Sequence, residues 1–162
     1  AGVTVVIIRD DLVKRSQESL PGYLNYANHV KEDSLYNTPP CFAIYLMKLV
    51  LEWLRDEVGG LARMHAINEQ KARSLYDVID ESRGFYRGHA QPDCRSLMNV
   101  TFRLPSEALE KEIVKEGEDR DLDGLKGHRS VGGIRASIYN AMPTTGVESL
   151  ANFMREFKQK KG

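Results

Sequence analysis

The chain has 162 residues, 41% of them hydrophobic and 28% charged, with 23 basic and 23 acidic side chains that cancel to zero net charge. That size allows one domain with a real core or two smaller pieces, and the balance leaves no basic field to attract nucleic acid. No run approaches the ~18 apolar residues of a membrane span and no secretory leader is recognisable; Cys41 and Cys94 are too few and too widely spaced for a disulfide framework or a zinc site, so a reduced, cytoplasmic protein with no metal, membrane or nucleic-acid partner is expected.

Val3 to Ile8, VTVVII, is an unbroken β-branched run of the kind found in strands buried on both faces. One such strand makes no sheet, so the segment reads as the end of a larger domain. Leu12 to Leu35, broken by Pro21-Gly22, reads as loop with short turns. Asn37-Thr38-Pro39-Pro40 marks a boundary at which Asn37 or Thr38 is expected to cap a helix. That helix is predicted from Cys41 to Val58, with a core-facing stripe of Phe42, Tyr45, Leu46, Leu49, Val50, Trp53 and Leu54; Cys41 is read as a packing residue. Gly59-Gly60 ends it.

A second helix is predicted from about Leu61 to Ser82, with Met64, Ile67, Ala72, Leu75, Tyr76 and Ile79 on its apolar side. Phe85-Tyr86 and Leu97 to Leu104 read as strands, Glu107 to about Glu116 as a charged helix, and Asp119 to Gly127 as a polar connection. A last helix, Val147 to Lys158, carries Leu150, Phe153, Met154 and Phe157 as its buried face. Strands and helices in this part fit a small α+β layer. His29, His65 and His89 have no metal-ligand spacing and are expected to be exposed; Arg95, Ser96 and Asn99 are read as organisers of the sheet.

The densest chemistry lies between Leu125 and Ala141, LKGHRSVGGIRASIYNA. His128, Arg129 and Arg135 surround the Gly132-Gly133 pair, an arrangement suited to a small molecule with more than one acidic group. Ile134, Ala136 and Ile138 alternate with Arg135, Ser137 and Tyr139, which predicts a strand as a rigid platform for Arg135. On spacing alone a solvated turn remains the alternative, and the preferred one.

SLYNTPPCFAIYLMKLVLEWL, RSLMNVTFRL and LKGHRSVGGIRASIYNAMP together resemble the C-terminal part of the phosphoserine aminotransferase family, within the class V aminotransferases. AGVTVVIIRDDLV is similar to the strand that follows the cofactor lysine in that family, and the resemblance runs from Ala1 to about Lys158. It implies the aspartate-aminotransferase-like fold, α/β and α+β. Residues 1–60 would be the end of the large cofactor-binding domain, and residues 61–162 a connecting helix and the small C-terminal domain. It further implies a homodimer, pyridoxal 5'-phosphate as cofactor, and amino transfer between phosphoserine and 2-oxoglutarate. The products are 3-phosphohydroxypyruvate and glutamate, in serine biosynthesis and, in many bacterial members, pyridoxine biosynthesis.

By the same resemblance, Asn37 and Thr38 reach the cofactor phosphate across the dimer, Arg135 grips the substrate α-carboxylate, and His128 and Arg129 meet the distal acid. The family's Schiff-base lysine has no counterpart in this chain, which alone is expected to be inactive. The alternative is a non-catalytic anion-binding or dimerisation module derived from that family.

Overall fold

The computed structural model describes residues 2–162, and the chain falls into two units, Ala1–Glu57 and Val58–Gly162. Ala1, where the first expected domain and the resemblance begin, lies outside the described residues.

In the first unit the expected strand does not form. Residues Val3 to Ile8 adopt no regular secondary structure and pair with no strand among the described residues, and Ile7 is 98% exposed. A β-branched run favours extended backbone, but a strand also needs a neighbour for its N–H and C=O groups, and none is present among the described residues. Short helices α1 (Asp10–Val13) and α2 (Tyr26–Lys31) occupy the stretch expected to be loop. Asn25 caps α2, its side-chain oxygen accepting the Ala27 N–H at 2.9 Å. His29 is half-buried rather than exposed, because its Nε2 lies 2.8 Å from the Tyr23 carbonyl with Tyr23, Tyr26 and Tyr36 around the ring.

Helix α3 (Cys41–Asp56) forms as its periodicity predicts, yet none of its residues is buried. Phe42, Tyr45, Leu46, Leu49 and Val50 are exposed, and so is Cys41. The expectation that this stripe is core is thus corrected. Periodicity records a face meant to be covered, and the cover is not supplied within this unit.

The second unit has the core. Helix α4 (Leu61–Asp80) buries Met64, Ala72, Leu75, Tyr76 and Ile79, as the pattern predicts, together with Val78; Ile67 is half-buried. It packs on helix α6 (Thr144–Lys161), whose Leu150, Phe153, Met154 and Phe157 are buried as expected, along with Val147 and Ala151. Over this pair lies an antiparallel sheet of β1 (Arg87–Gly88), β2 (Asn99–Arg103) and β3 (Ile134–Ser137), in the order β1-β2-β3. Helix α5 (Glu107–Glu118) connects β2 to the polar stretch before β3; Ser106 caps it, accepting the Leu109 N–H at 3.3 Å.

Alternation assigns the two faces of the sheet. Val100, Phe102, Ile134 and Ala136 point into the core, while Asn99, Thr101, Arg103, Arg135 and Ser137 point out. Phe85-Tyr86, expected as a strand, forms a bend between the turn at 81–84 and β1 instead. The Tyr86 ring is buried, its hydroxyl donates to the Met154 carbonyl at 2.8 Å, and burial raises its pKa.

Arg95, Ser96 and Asn99 organise this unit as expected. The Ser96 hydroxyl accepts the Met98 and Asn99 N–H groups at 3.1 Å, and Asn99 Oδ1 accepts from Ser137 at 3.3 Å. Arg95 forks onto Asp80 at 2.6 and 2.7 Å and lies over the Tyr76 ring. Those hydrogen bonds hold the Asp80 carboxyl below its ordinary pKa. A carboxylate depressed in the folded state stabilises it fully above the unfolded aspartate pKa of about 4, and that contribution is lost as pH falls through the lower folded value. Asp80→Asn is expected to flatten this acid limb, seen as a smaller drop in urea midpoint between about pH 5 and about pH 3 than in the parent chain.

Candidate functional site

The stretch from Lys126 to Ile134 forms an arch. At its base the Gly127 N–H donates to the Gly133 carbonyl and the Arg135 N–H to the Leu125 carbonyl, both at 2.8 Å, with Lys126 bridged to Ile134. At its crown the His128 carbonyl accepts from Val131 at 2.9 Å and from Gly132 at 2.7 Å. The arch closes so tightly that a side chain at Gly127 would collide with the Gly132 carbonyl oxygen. Gly133 has φ +73°, and a Cβ there would stand 2.9 Å from the Phe102 carbonyl oxygen.

The arch presents His128, Arg129 and Ser130 to solvent. The Ser130 N–H lies 3.3 Å from His128 Nδ1, and the Ser130 hydroxyl 2.7 Å from the same nitrogen. Both contacts fall on Nδ1, so Ser130 holds one side of the ring while Nε2 has no hydrogen bond among the described residues.

Arg135 sits differently. Its neighbours Ile134 and Ala136 are in the core, so the pleat fixes the direction of its side chain. Its Nε is buried and has no partner among the described residues, leaving a donor unspent. Thr101 is its direct partner across the ladder. His89 directly follows β1, whose register pairs Arg87 with Arg103 and Gly88 with Phe102, and it lines one hollow together with Thr101 and Arg135. Imidazole, hydroxyl and guanidinium thus border the same hollow.

Two hollows meet at His128. One, of about 170 Å³, is lined by Arg135, His128, His89 and Thr101; the other, a cleft of about 540 Å³ against α5, is lined by His128, Arg129, Arg103 and Lys126 among others. The three residues expected to hold substrate are therefore brought together, with His128 common to both hollows. His89 is exposed as expected, but its place beside Arg135 was not foreseen. Only the sheet register reveals it, since 46 residues separate the two in sequence.

Asn37 and Thr38 lie in the other unit, both exposed, with no side-chain hydrogen bond among the described residues. Neither caps α3. The N-cap position falls on Pro40, because Pro39 and Pro40 stand between the pair and the first helical turn. The amide and hydroxyl are free, but they do not share the helix N-terminus that was expected to favour an anion there.

Residues 1–150 match the family model described as aminotransferase class-V. The chain belongs to the class-V aminotransferases. Among relatives within this family, a phosphoserine aminotransferase of Rhodopirellula baltica is 59% identical over 99% of this chain and 43% of its own length. The solved phosphoserine aminotransferase from Bacillus circulans subsp. alkalophilus superposes with a TM-score of 0.89 at 54% identity, over 96% of this chain and 43% of that one. A PLP-bound phosphoserine aminotransferase from Trichomonas vaginalis gives 0.83 at 39% identity, over 91% and 42%. This class-V chain thus spans less than half the length of the relatives it matches.

Proposed function

We propose that this chain carries the substrate-gripping part of a phosphoserine:2-oxoglutarate aminotransferase of serine biosynthesis, working as a cytoplasmic homodimer. Residues 1–60 then form the end of the large cofactor-binding domain, and 61–162 a connecting helix and the small domain. The observation that carries the reading is the unpartnered, buried Nε of Arg135 on a strand whose flanking residues are locked in the core. The names borne by the relatives support the substrate, and the uncovered apolar stripe of α3 supports a further surface that docks onto the unit.

The residues present fit pyridoxal phosphate in one respect and leave one role open. Asn37 and Thr38 have a free amide and hydroxyl suited to phosphate oxygens. No lysine lines the Arg135 hollow, and the buried Lys71 gives its ammonium to the Ile138, Tyr139 and Met142 carbonyls, so the lysine of the reaction is proposed to come from outside residues 1–162. When bound, the cofactor supplies the electron sink for amino transfer. This chain's residues then grip the substrate. Arg135 takes the α-carboxylate and so sets the orientation of the reacting carbon. His128 and Arg129 take the distal acid, whether phosphate or carboxylate.

Full-length protein supplied with pyridoxal phosphate, phosphoserine and 2-oxoglutarate is expected to form glutamate. Turnover with other amino donors and none with phosphoserine would overturn the reading. Residues 1–162 alone are expected to form none. Arg129→Ala is expected to lower kcat/KM for phosphoserine by about 10- to 100-fold, the equivalent of one or two charge-assisted hydrogen bonds. Alanine, with no distal acid, should be affected far less; equal losses for both donors would contradict the assignment.

A further inference from the structure

We infer that Arg103 is a positioning residue: it braces the His128–Gly132 crown of the arch from below and thereby sets selectivity for amino donors with a second acidic group. The inference about selectivity rests on the substrate reading above; the brace itself does not.

The brace is a chain of three contacts. Arg103 Nη1 donates to the Val131 carbonyl at 2.6 Å, and Arg103 Nε meets Glu110 Oε1 at 2.8 Å. The same Glu110 oxygen accepts the Leu104 N–H at 3.3 Å, and Glu110 is buried on α5. The carboxylate is thus fixed by a helix and by the end of β2, and the guanidinium links it to the crown. Phe102, locked in the core beside Arg103, fixes the direction in which the arginine leaves the strand.

The glycines complete the fit. Gly132 and Gly133 have φ +74° and +73°, and Cβ atoms there would come 3.1 Å from Arg103 Nη1 and 2.7 Å from Arg103 Cδ. The arginine therefore lies against bare backbone that any side chain would push away. Its role differs from that of the arch's own hydrogen bonds, which close the loop but do not tie the crown to the sheet and helix. His128 and Arg129 are exposed, and Arg129 has no side-chain hydrogen bond among the described residues. Where these two groups stand is decided by the backbone beneath them, and Arg103 holds that backbone at Val131. A lysine could reach one partner only, because the two contacts use different nitrogens of a planar fork.

The test compares Arg103→Met and Arg103→Lys with the parent protein. In the full-length enzyme both are expected to raise KM for phosphoserine about tenfold with little change in kcat, and to leave kcat/KM for alanine within about twofold. Glu110→Gln should shift the ratio in the same direction but less. Parallel losses for both donors, or an unchanged ratio, would overturn the selectivity claim. Independently, amide hydrogen exchange is expected to quicken at Gly127, Val131 and Gly132 by about tenfold or more in Arg103→Met while α6 keeps its protection. Unchanged exchange at the crown would overturn the brace. Should the parent enzyme itself fail to use phosphoserine, the substrate reading falls, and the exchange measurement still decides the brace.

Discussion

Arg135→Ala in the full-length enzyme is expected to lower kcat/KM by about a hundredfold or more for phosphoserine and for glutamate alike, the scale of a bidentate charge-assisted contact in a partly closed cavity. Under the proposed function both donors present an α-carboxylate to Arg135, so both should lose the same contact. Loss of orientation should appear in kcat as well as KM, because the carboxylate grip decides how the reacting carbon is presented. Arg135→Lys should recover only part, since an ammonium cannot copy the planar fork. Folding should be little affected: the side chain points out of the sheet, and its Nε has no protein partner to lose. Steady-state kinetics with these two donors and with alanine, beside a thermal melt, checks this. A loss for phosphoserine and glutamate that spares alanine, which has no distal acid, would move Arg135 to the distal acid and overturn the division of labour with Arg129.

The largest stability effect is expected at Lys71. The residue is fully buried on α4, and its ammonium donates to the carbonyls of Tyr139 at 2.8 Å, Met142 at 3.1 Å and Ile138 at 3.2 Å. Burial presses its pKa down, but all three N–H groups have acceptors, which allows a charge to remain in the interior. These carbonyls belong to the chain immediately after β3, where Asn68 adds a hydrogen bond to Asn140 at 2.8 Å. Lys71→Met keeps the volume but strands the three carbonyls. It should cost about 3 kcal/mol, or roughly 10–20 °C in Tm for a unit of this size. Calorimetry or a denaturant titration of the chain reads this directly. A change of less than about 1 kcal/mol would mean that water replaces the ammonium without loss.

Local pattern was a good guide wherever an element's partner is also in this chain. The faces of α4 and α6 follow from periodicity because each buries its stripe on the other and on the sheet. The outward direction of Arg135 follows from the alternation of Ile134, Arg135 and Ala136, because a pleat leaves no other choice. The same reasoning failed for Val3 to Ile8 and for the burial of α3. A β-branched run and an apolar stripe record what a segment needs, while its neighbour determines whether the need is met.

Sequence by itself pointed to the family to which the chain belongs. Two arginines and a histidine around paired glycines read on spacing alone as a solvated turn, and only the resemblance to one aminotransferase family marked them as groups expected to grip two acids. Tertiary structure alone decided how those groups are supported. The place of His89 beside Arg135 depends on strand register, and the hold of Arg103 on Val131 joins residues 28 apart in sequence. Lys71, an unremarked cation on a helix face, became a buried ammonium only because the turn after β3 supplies three carbonyls. The physical reason is common to all three. Side-chain type and local period are properties of neighbours along the chain, whereas register, bracing and buried hydrogen bonding arise between segments that only folding brings together.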